Sequence, residues 1–263
     1  MERFVTIRPK NELVSTYISY YYFHHSDEVE FRKNYVFYPH FKHGFTVYKE
    51  GENFRTLFTM NYTRQIPVEL KGVFQKIGVA FNPLGMNRFI SVPVSELYDP
   101  ETFSFQHWNP EIFPELKEVF ETQDTESKRD LLDAVFEKRF KPNPELNYVE
   151  EALEHIFESF GTIQVDELAS KIGISRKTLL RHFKKHLCCS IEEYKKVVKF
   201  RTSIQGAHNL GLKNLTEVSL YSLYYDQSDF TNRFKELTGQ NPSTFFISIQ
   251  RMGEEDIFWK FDE

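Results

Sequence analysis

The stretch EVSLYSLYYDQSDFTNRFKELTGQNPSTF (217–245) decides the reading of this chain, because it repeats an earlier one. The earlier stretch is ELASKIGISRKTLLRHFKKHLCCSIEEY (167–194). Leu179 corresponds to Phe230, Phe183 to Phe234, Lys184 to Lys235 and Tyr194 to Phe245, each pair 51 positions apart. A shared spacing of apolar anchors over that length marks an internal repeat, over about 165–201 and 216–249.

Each copy has the physics of a helix-turn-helix. In the first, a short helix over 165–171 turns Leu168 and Ala169 inward, and the small Ala169 lets the next helix cross closely. Gly173 can take the positive φ that ends this helix. Ser175 then caps the next helix by accepting a backbone N–H. That helix runs from Arg176 to about His186, and Leu179 and Phe183, at i and i+4, anchor it. Lys177, Leu180, Arg181 and Lys184 project from its other side.

In the second copy Asn214 and Glu217 have the spacing of a capping box. Val218 and Ser219 take the places of Leu168 and Ala169, and Asp226 that of Ser175. Phe230 and Phe234 anchor a helix over about 227–237. Gln227, Ser228, Thr231 and Asn232 project outward, flanked by Arg233 and Lys235. Such side chains hydrogen-bond base edges and pair with phosphates, as a groove-reading helix requires.

These patterns resemble the AraC-type (AraC/XylS) family of bacterial transcription regulators. The first copy carries ELA…G.S…L.R.FK, and the second carries D-Q-S-x-F-x-x-x-F-K-x-x-x-G-x-x-P. The resemblance covers about residues 147–249. It implies two units joined by a long helix, here about Ile191–Ser203, with each recognition helix entering one of two successive major-groove segments. Four positions depart from the family pattern. Leu223 stands where Gly is usual, Cys188 replaces the Gly that Gly239 retains, Ile191 replaces the Pro that Pro242 retains, and Ser219 replaces Ala. Leu223 therefore raises the expectation of an altered turn. Asp229 would meet phosphates unless it accepts from a cytosine amine or caps its own helix.

The candidate DNA contacts are Arg176, Lys177, Thr178, Leu180, Arg181 and Lys184 in the first unit, and Gln227, Ser228, Thr231, Asn232 and Lys235 in the second. Arg181 and Asn232 hold equivalent places. Arg suits guanine and Asn suits adenine through paired hydrogen bonds. Arg176, Lys177, Lys184, Lys185 and Lys235 suit phosphates, which give affinity and salt dependence rather than specificity. Leu180 suits either a thymine methyl or the core.

Charge supports this placement. The chain carries a net −5, yet 171–201 holds ten Lys and Arg against two Glu. A basic region within an acidic protein fits one domain that alone meets phosphates.

The N-terminal part reads differently. YISYYYF, YVFY, FTVYK, FRTLFTMNY and KIGVAF are dense in residues that favour strands. Gly44, Gly51, Asn61 and Gly72 mark turns between them. Leu84–Ser91 suits a short helix, and 111–140 has helical spacing. KPNPE (141–145) marks the boundary, after which Tyr148, Ala152, Ile156 and Phe160 fall four apart on one expected helical face. The fold class expected is α+β: a strand-rich N-terminal domain, then an all-α C-terminal domain with two helix-turn-helix units. The divisions are 1–141, 142–250 and an acidic, aromatic tail over 251–263. ELVSTYISYYYF and IGVAFNPLGMNRFISVPVSELYD resemble the N-terminal domain of a poorly characterised AraC-type subgroup. In the wider family that domain binds a small molecule or dimerises.

Other functions find little support. There is no GxxxxGK[ST], HExxH or GxSxG motif, so no catalytic residue is nominated and no enzyme is expected. Cys188 and Cys189, the only cysteines, exclude an intrachain disulfide framework and read as small apolar residues. His182 and His186 are spaced i, i+4, but no third ligand accompanies them. His24, His25, His40 and His43 lack the patterned Glu and further His of a cupin-like metal site. No metal or cofactor is therefore expected. No apolar run reaches membrane length, which points to a cytoplasmic protein without a membrane partner.

The partner expected is double-stranded DNA. A small-molecule effector at the N-terminal domain, RNA polymerase and a homodimer stay open, and the aromatic run Tyr20–Phe23 suits either an effector pocket or core. The alternative is a small-molecule binding or processing module whose attached, degenerate helix-turn-helix serves protein contacts.

Overall fold

Alternation along β2 (Ile18–Ser26) sets up the N-terminal part: Tyr21 and Phe23 point to one face, Tyr20 and Tyr22 to the other. The computed structural model describes residues 1–59, 65–97, 112–209, 211, 214–251 and 258–262. Before β2 come β1 (Glu2–Ile7) and α1 (Glu12–Tyr17). After it come β3 (Arg32–Phe37), β4 (Gly44–Glu50), β5 (Asn53–Thr59), β6 (Ile66–Lys71) and β7 (Phe74–Phe81). Then follow α2 (Val94–Leu97), α3 (Phe113–Glu121) and α4 (Thr125–Arg139).

One antiparallel sheet has the order β1-β2-β7-β4-β5. Its first face packs on α3 and α4, burying Tyr21, Phe45, Val47, Ile77 and Phe81 against Leu116, Val119, Leu132 and Phe136. Asp133 of α4 locks this layer, accepting from Tyr21 Oη at 2.8 Å and from the backbone N–H groups of Lys10 and Asn11 at 2.8 and 2.9 Å. The second face carries Tyr22, Thr46 and Tyr48 and looks toward β3 and β6 of a second sheet across a cavity. Gly78 is required there: a Cβ would lie 1.8 Å from the Tyr22 ring, which crosses β7 to meet Thr46 Oγ1 at 2.5 Å.

The second sheet has the order β6-β3-β9-β8, where β8 is Gln250–Arg251 and β9 is Phe258–Asp262. The end of the chain thus returns to the N-terminal part, where β9 runs antiparallel to β3.

The C-terminal part is helical: α5 (Asn147–Glu158), α6 (Val165–Ile172), α7 (Arg176–Leu187), α8 (Ile191–Asn209), α9 (Leu215–Tyr221), α10 (Gln227–Thr238) and α11 (Pro242–Ser248). Seven strands precede the helices α2–α11, as the sequence implied, but α1 lies among them and β8 and β9 follow the last helix. Among the described residues no helix is long and apolar enough to cross a membrane.

Leu84–Ser91 holds a short helix as expected, a 3-10 turn over Gly85–Arg88 entered through Leu84 at φ 62°. The helical spacing over 111–140 is met by two helices, as Asp124 accepts from Ser127 N at 2.7 Å and starts α4 afresh. Three local expectations need correction. The buried face of α5 is Val149, Ala152, Leu153 and Ile156. Tyr148 and Phe160 are exposed, since a strict four-residue step drifts off the face of a 3.6-residue helix and Phe160 lies past its end at φ 50°. The linking helix α8 extends beyond Ser203 to Asn209, and Gly44 opens β4 instead of forming a turn. Gly51 and Gly72 do turn, at φ 63° and 67°. Asn61 and residues 252–257 lie outside the described residues.

Candidate nucleic-acid interface

The two copies build the same object from different residues. In the first, α6 ends at Gly173 (φ 75°), and Ile174 N donates back to Ala169 O at 3.1 Å. In the second, α9 ends at Leu223 (φ 55°), and Tyr224 N donates back to Ser219 O at 3.0 Å. At Leu223, where an altered turn was expected, the left-handed residue and the closing hydrogen bond are kept. The caps match too: Ser175 accepts from Thr178 N at 3.1 Å and Asp226 from Asp229 N at 2.7 Å.

The first helices correspond at an offset of 50 and the second at 51. The second unit thus has one extra residue in its turn, within Tyr224–Tyr225, and Tyr225 is 91% exposed. Each unit ties the start of its second helix to its first helix. Arg176 Nε pairs with Asp166 at 2.9 Å, and Thr216 donates to Gln227 Oε1 at 2.8 Å.

The cores differ in content. Leu179 and Phe183 are buried with Leu168, Leu187 and Tyr194. Phe230 and Phe234 are buried with Phe200, Val218 and Phe245, and the Phe234 and Phe245 rings are 4.9 Å apart at 80°. The αL caps that close the second helices are Cys188 (φ 55°) and Gly239 (φ 68°), so Cys188 adopts the conformation expected of the Gly it replaces. Burial pushes its thiol up to about 12, and Cys189 is buried, which suits apolar roles.

Residues 168–247 match the family model described as a helix-turn-helix domain. The C-terminal region is an AraC-type helix-turn-helix domain. The Msm operon regulatory protein of Streptococcus mutans is 31% identical over 104 residues, 39% of this chain. The match spans 37% of that relative's own length. The C-terminal domain of AraT, a response regulator from Geobacillus stearothermophilus, has a TM-score of 0.38 at 18% identity, over 43% of this chain and 95% of that one. ToxT from Vibrio cholerae has a TM-score of 0.42 at 11% identity, over 94% of this chain and 97% of its own.

Within the AraC-type domain, Arg176, Lys177, Arg181 and Lys184 are exposed along α7, with Thr178 and Leu180 half-buried. Leu180 packs partly on the core of the first unit, so its core alternative holds at least in part. Lys185 pairs with Glu145 at 2.5 Å. On α10, Gln227, Ser228, Asn232 and Lys235 are exposed and Thr231 is half-buried, its hydroxyl donating to Gln227 O at 2.8 Å. Asp229 serves its own helix end, accepting from Tyr225 N at 3.4 Å and pairing with Arg233 at 3.4 Å. Arg233 also meets Glu236 at 3.6 Å, which draws it away from the cationic set.

The N-terminal part grips both units of the domain, which no sequence pattern announced. Tyr38 inserts into the second core, its ring 4.6 Å from that of Phe245, and Gln240 Nε2 donates to its hydroxyl at 3.2 Å. Phe41 packs on Phe157 beside the first core, with ring centres 5.1 Å apart. Asn87 Nδ2 donates to His186 O at 3.0 Å, and its Oδ1 lies 3.2 Å from His186 Nδ1. His186, in the last turn of α7, is therefore buried at a contact with the N-terminal part, and burial lowers it to about 4. Among the described residues no group of three His, Cys, Asp or Glu converges as a metal site.

Proposed function

We propose that this protein is a sequence-specific DNA-binding transcription regulator acting in the cytoplasm. The recognition helices α7 and α10 read two successive major-groove segments. One observation carries this reading: two units with matching left-handed helix ends and matching caps each turn an exposed face of hydrogen-bonding and basic residues to solvent. Arg181 and Asn232 are the base readers. Arg176, Lys177, Lys184 and Lys235 meet phosphates, with Thr178, Leu180, Gln227, Ser228 and Thr231 beside them. The exposed Arg176–Asp166 pair contributes little by itself, so a phosphate can displace Asp166.

Helix α8 is about 28 Å long. That is the order of the ~34 Å repeat between successive major-groove faces. Residues 1–141 act as the regulatory domain, 142–250 as the reading domain, and the tail returns to the regulatory sheet. Support for regulation lies in Tyr38, Phe41 and Asn87, which contact both reading units.

Selection of bound duplexes from a random pool, with the full chain at near-physiological salt, tests the reading. A recovered sequence motif is the expected result. Binding that never rises above the non-specific level would overturn it.

A further inference from the structure

A cleft of about 600 Å³ opens on the helix-covered face of the five-stranded sheet, on the side away from the cavity between the sheets. Strand register builds it. Val5, Phe23, Ile77 and Val47 stand side by side across β1, β2, β7 and β4 and form an apolar row. The next row on the same face, about 7 Å along the strands, is Arg3, His25, Gln75 and Lys49. It is about 14 Å long, and every member carries an N–H donor. Lys128 of α4, and Gln123 just before that helix, line the cleft from the helix layer, over a floor of Phe23 and Phe120.

The cations of the cleft lack counter-charges. Among the described residues no carboxylate pairs with Arg3, Lys49 or Lys128. The acidic groups nearby are engaged elsewhere: Glu121 with Lys117, Glu126 with Arg129, and Asp124 with Ser127 N. Asp27, the carboxylate at the rim, pairs with the Met1 ammonium. Lys128 is half-buried, its ammonium 5.1 Å from the centre of the Phe23 ring. Burial, and then the neighbouring Arg3, hold that ammonium below its usual range. Two cations so placed repel each other, and an anion between them offsets that cost. The amides of Gln75 and Gln123 also have no hydrogen-bond partner among the described residues.

We infer that the cleft binds a sugar phosphate, its phosphate held by Arg3, His25 and Lys128 and its hydroxylated body running along Gln75 and Gln123 toward Lys49. A phosphate monoester carries close to two negative charges at neutral pH and three strong acceptor oxygens, which matches two cations beside an imidazole N–H. The Arg3 guanidinium can meet two of those oxygens at once. Amides both donate to and accept from hydroxyl groups, so the middle of the row suits a sugar. An apolar ligand would leave all these donors unpaired. The lining is drawn from residues 3–128, so the site owes nothing to the helix-turn-helix units and stands apart from the DNA reading.

The test is calorimetric titration of the full chain, without DNA, with glucose 6-phosphate, inorganic phosphate and glucose. Glucose 6-phosphate is expected to bind at millimolar concentration or tighter, and the other two about tenfold more weakly or worse. Arg3→Gln and Lys128→Gln should each weaken the ester about tenfold. Arg3 is exposed, so its variant keeps the fold, and cooperative melting checks Lys128→Gln. Lys171→Gln removes one charge from α6 in the C-terminal part and should leave the affinity within about twofold. No binding of the ester, or glucose or inorganic phosphate binding as tightly as the ester, would overturn the inference. So would full affinity in both the Arg3 and Lys128 variants, or an equal loss in Lys171→Gln.

Discussion

Leu223 and Gly173 hold the same left-handed conformation, at φ 55° and 75°, at the ends of the first helices of the two helix-turn-helix units. Glycine meets no steric cost there, but a side chain with a Cβ does. Leu223 is 48% exposed, so it recovers little of that strain through burial. Leu223→Gly should therefore stabilise the protein by about 1 kcal/mol, after the added freedom of the unfolded chain is counted. Thermal unfolding checks this. A lower melting temperature would mean that Leu223 packs more than its exposure indicates.

Phe234 is fully buried and meets the rings of Phe200, Phe230, Phe245 and Phe246. Phe234→Ala should cost about 3 to 5 kcal/mol. Chemical denaturation measures it. A wild-type midpoint would contradict the core placement.

Lys184 is exposed on α7. Lys184→Ala should weaken binding to every duplex and reduce the slope of log affinity against log salt by about one unit. An unchanged slope would remove Lys184 from the phosphate contacts.

Three buried histidines give the fold an acid-sensitive side. Burial is the largest cause that lowers His24, His43 and His186 to about 4. Their unfolded value is about 6.5. Between the two values the unfolded chain binds more protons than the folded one. Their stabilisation is thus complete above pH about 6.5 and is lost as pH falls toward 4, at up to about 1.4 kcal/mol per pH unit for each group. Melting temperature should drop from pH 7 to pH 5, and His186→Gln should make the drop shallower. Equal slopes would show that His186 becomes protonated without leaving Asn87.

The sequence made the two helix-turn-helix units legible because their determinants are local. Anchors at i and i+4, a cap and a left-handed turn fall within about twenty residues, and the repeat displays them twice. The exact turn was harder. Leu223 breaks the glycine pattern but keeps the backbone, which composition alone does not disclose. The strands of the N-terminal part were visible as aromatic runs, but their order was not, since pairing such as β3 with β9 joins residues far apart in the chain. Tyr38 against Phe245 and Asn87 against His186 follow from that long-range arrangement. No spacing marks them, and a Tyr or Asn in a connecting segment carries no sign of its partner. The cavity was foreshadowed by the run Tyr20–Phe23, which serves both readings: Tyr20 and Tyr22 line it, while Tyr21 and Phe23 are core.

The central claim is that both helices read bases, one block each. Its most direct test is in vitro selection run side by side on the wild type, Arg181→Ala and Asn232→Ala at one fixed salt concentration. The wild type should recover two short blocks about one helical turn apart. Each substitution should relax one position in a different block and cost about 1 to 3 kcal/mol on the best sequence. A single block, or two variants that lose affinity equally for all sequences, would contradict the account.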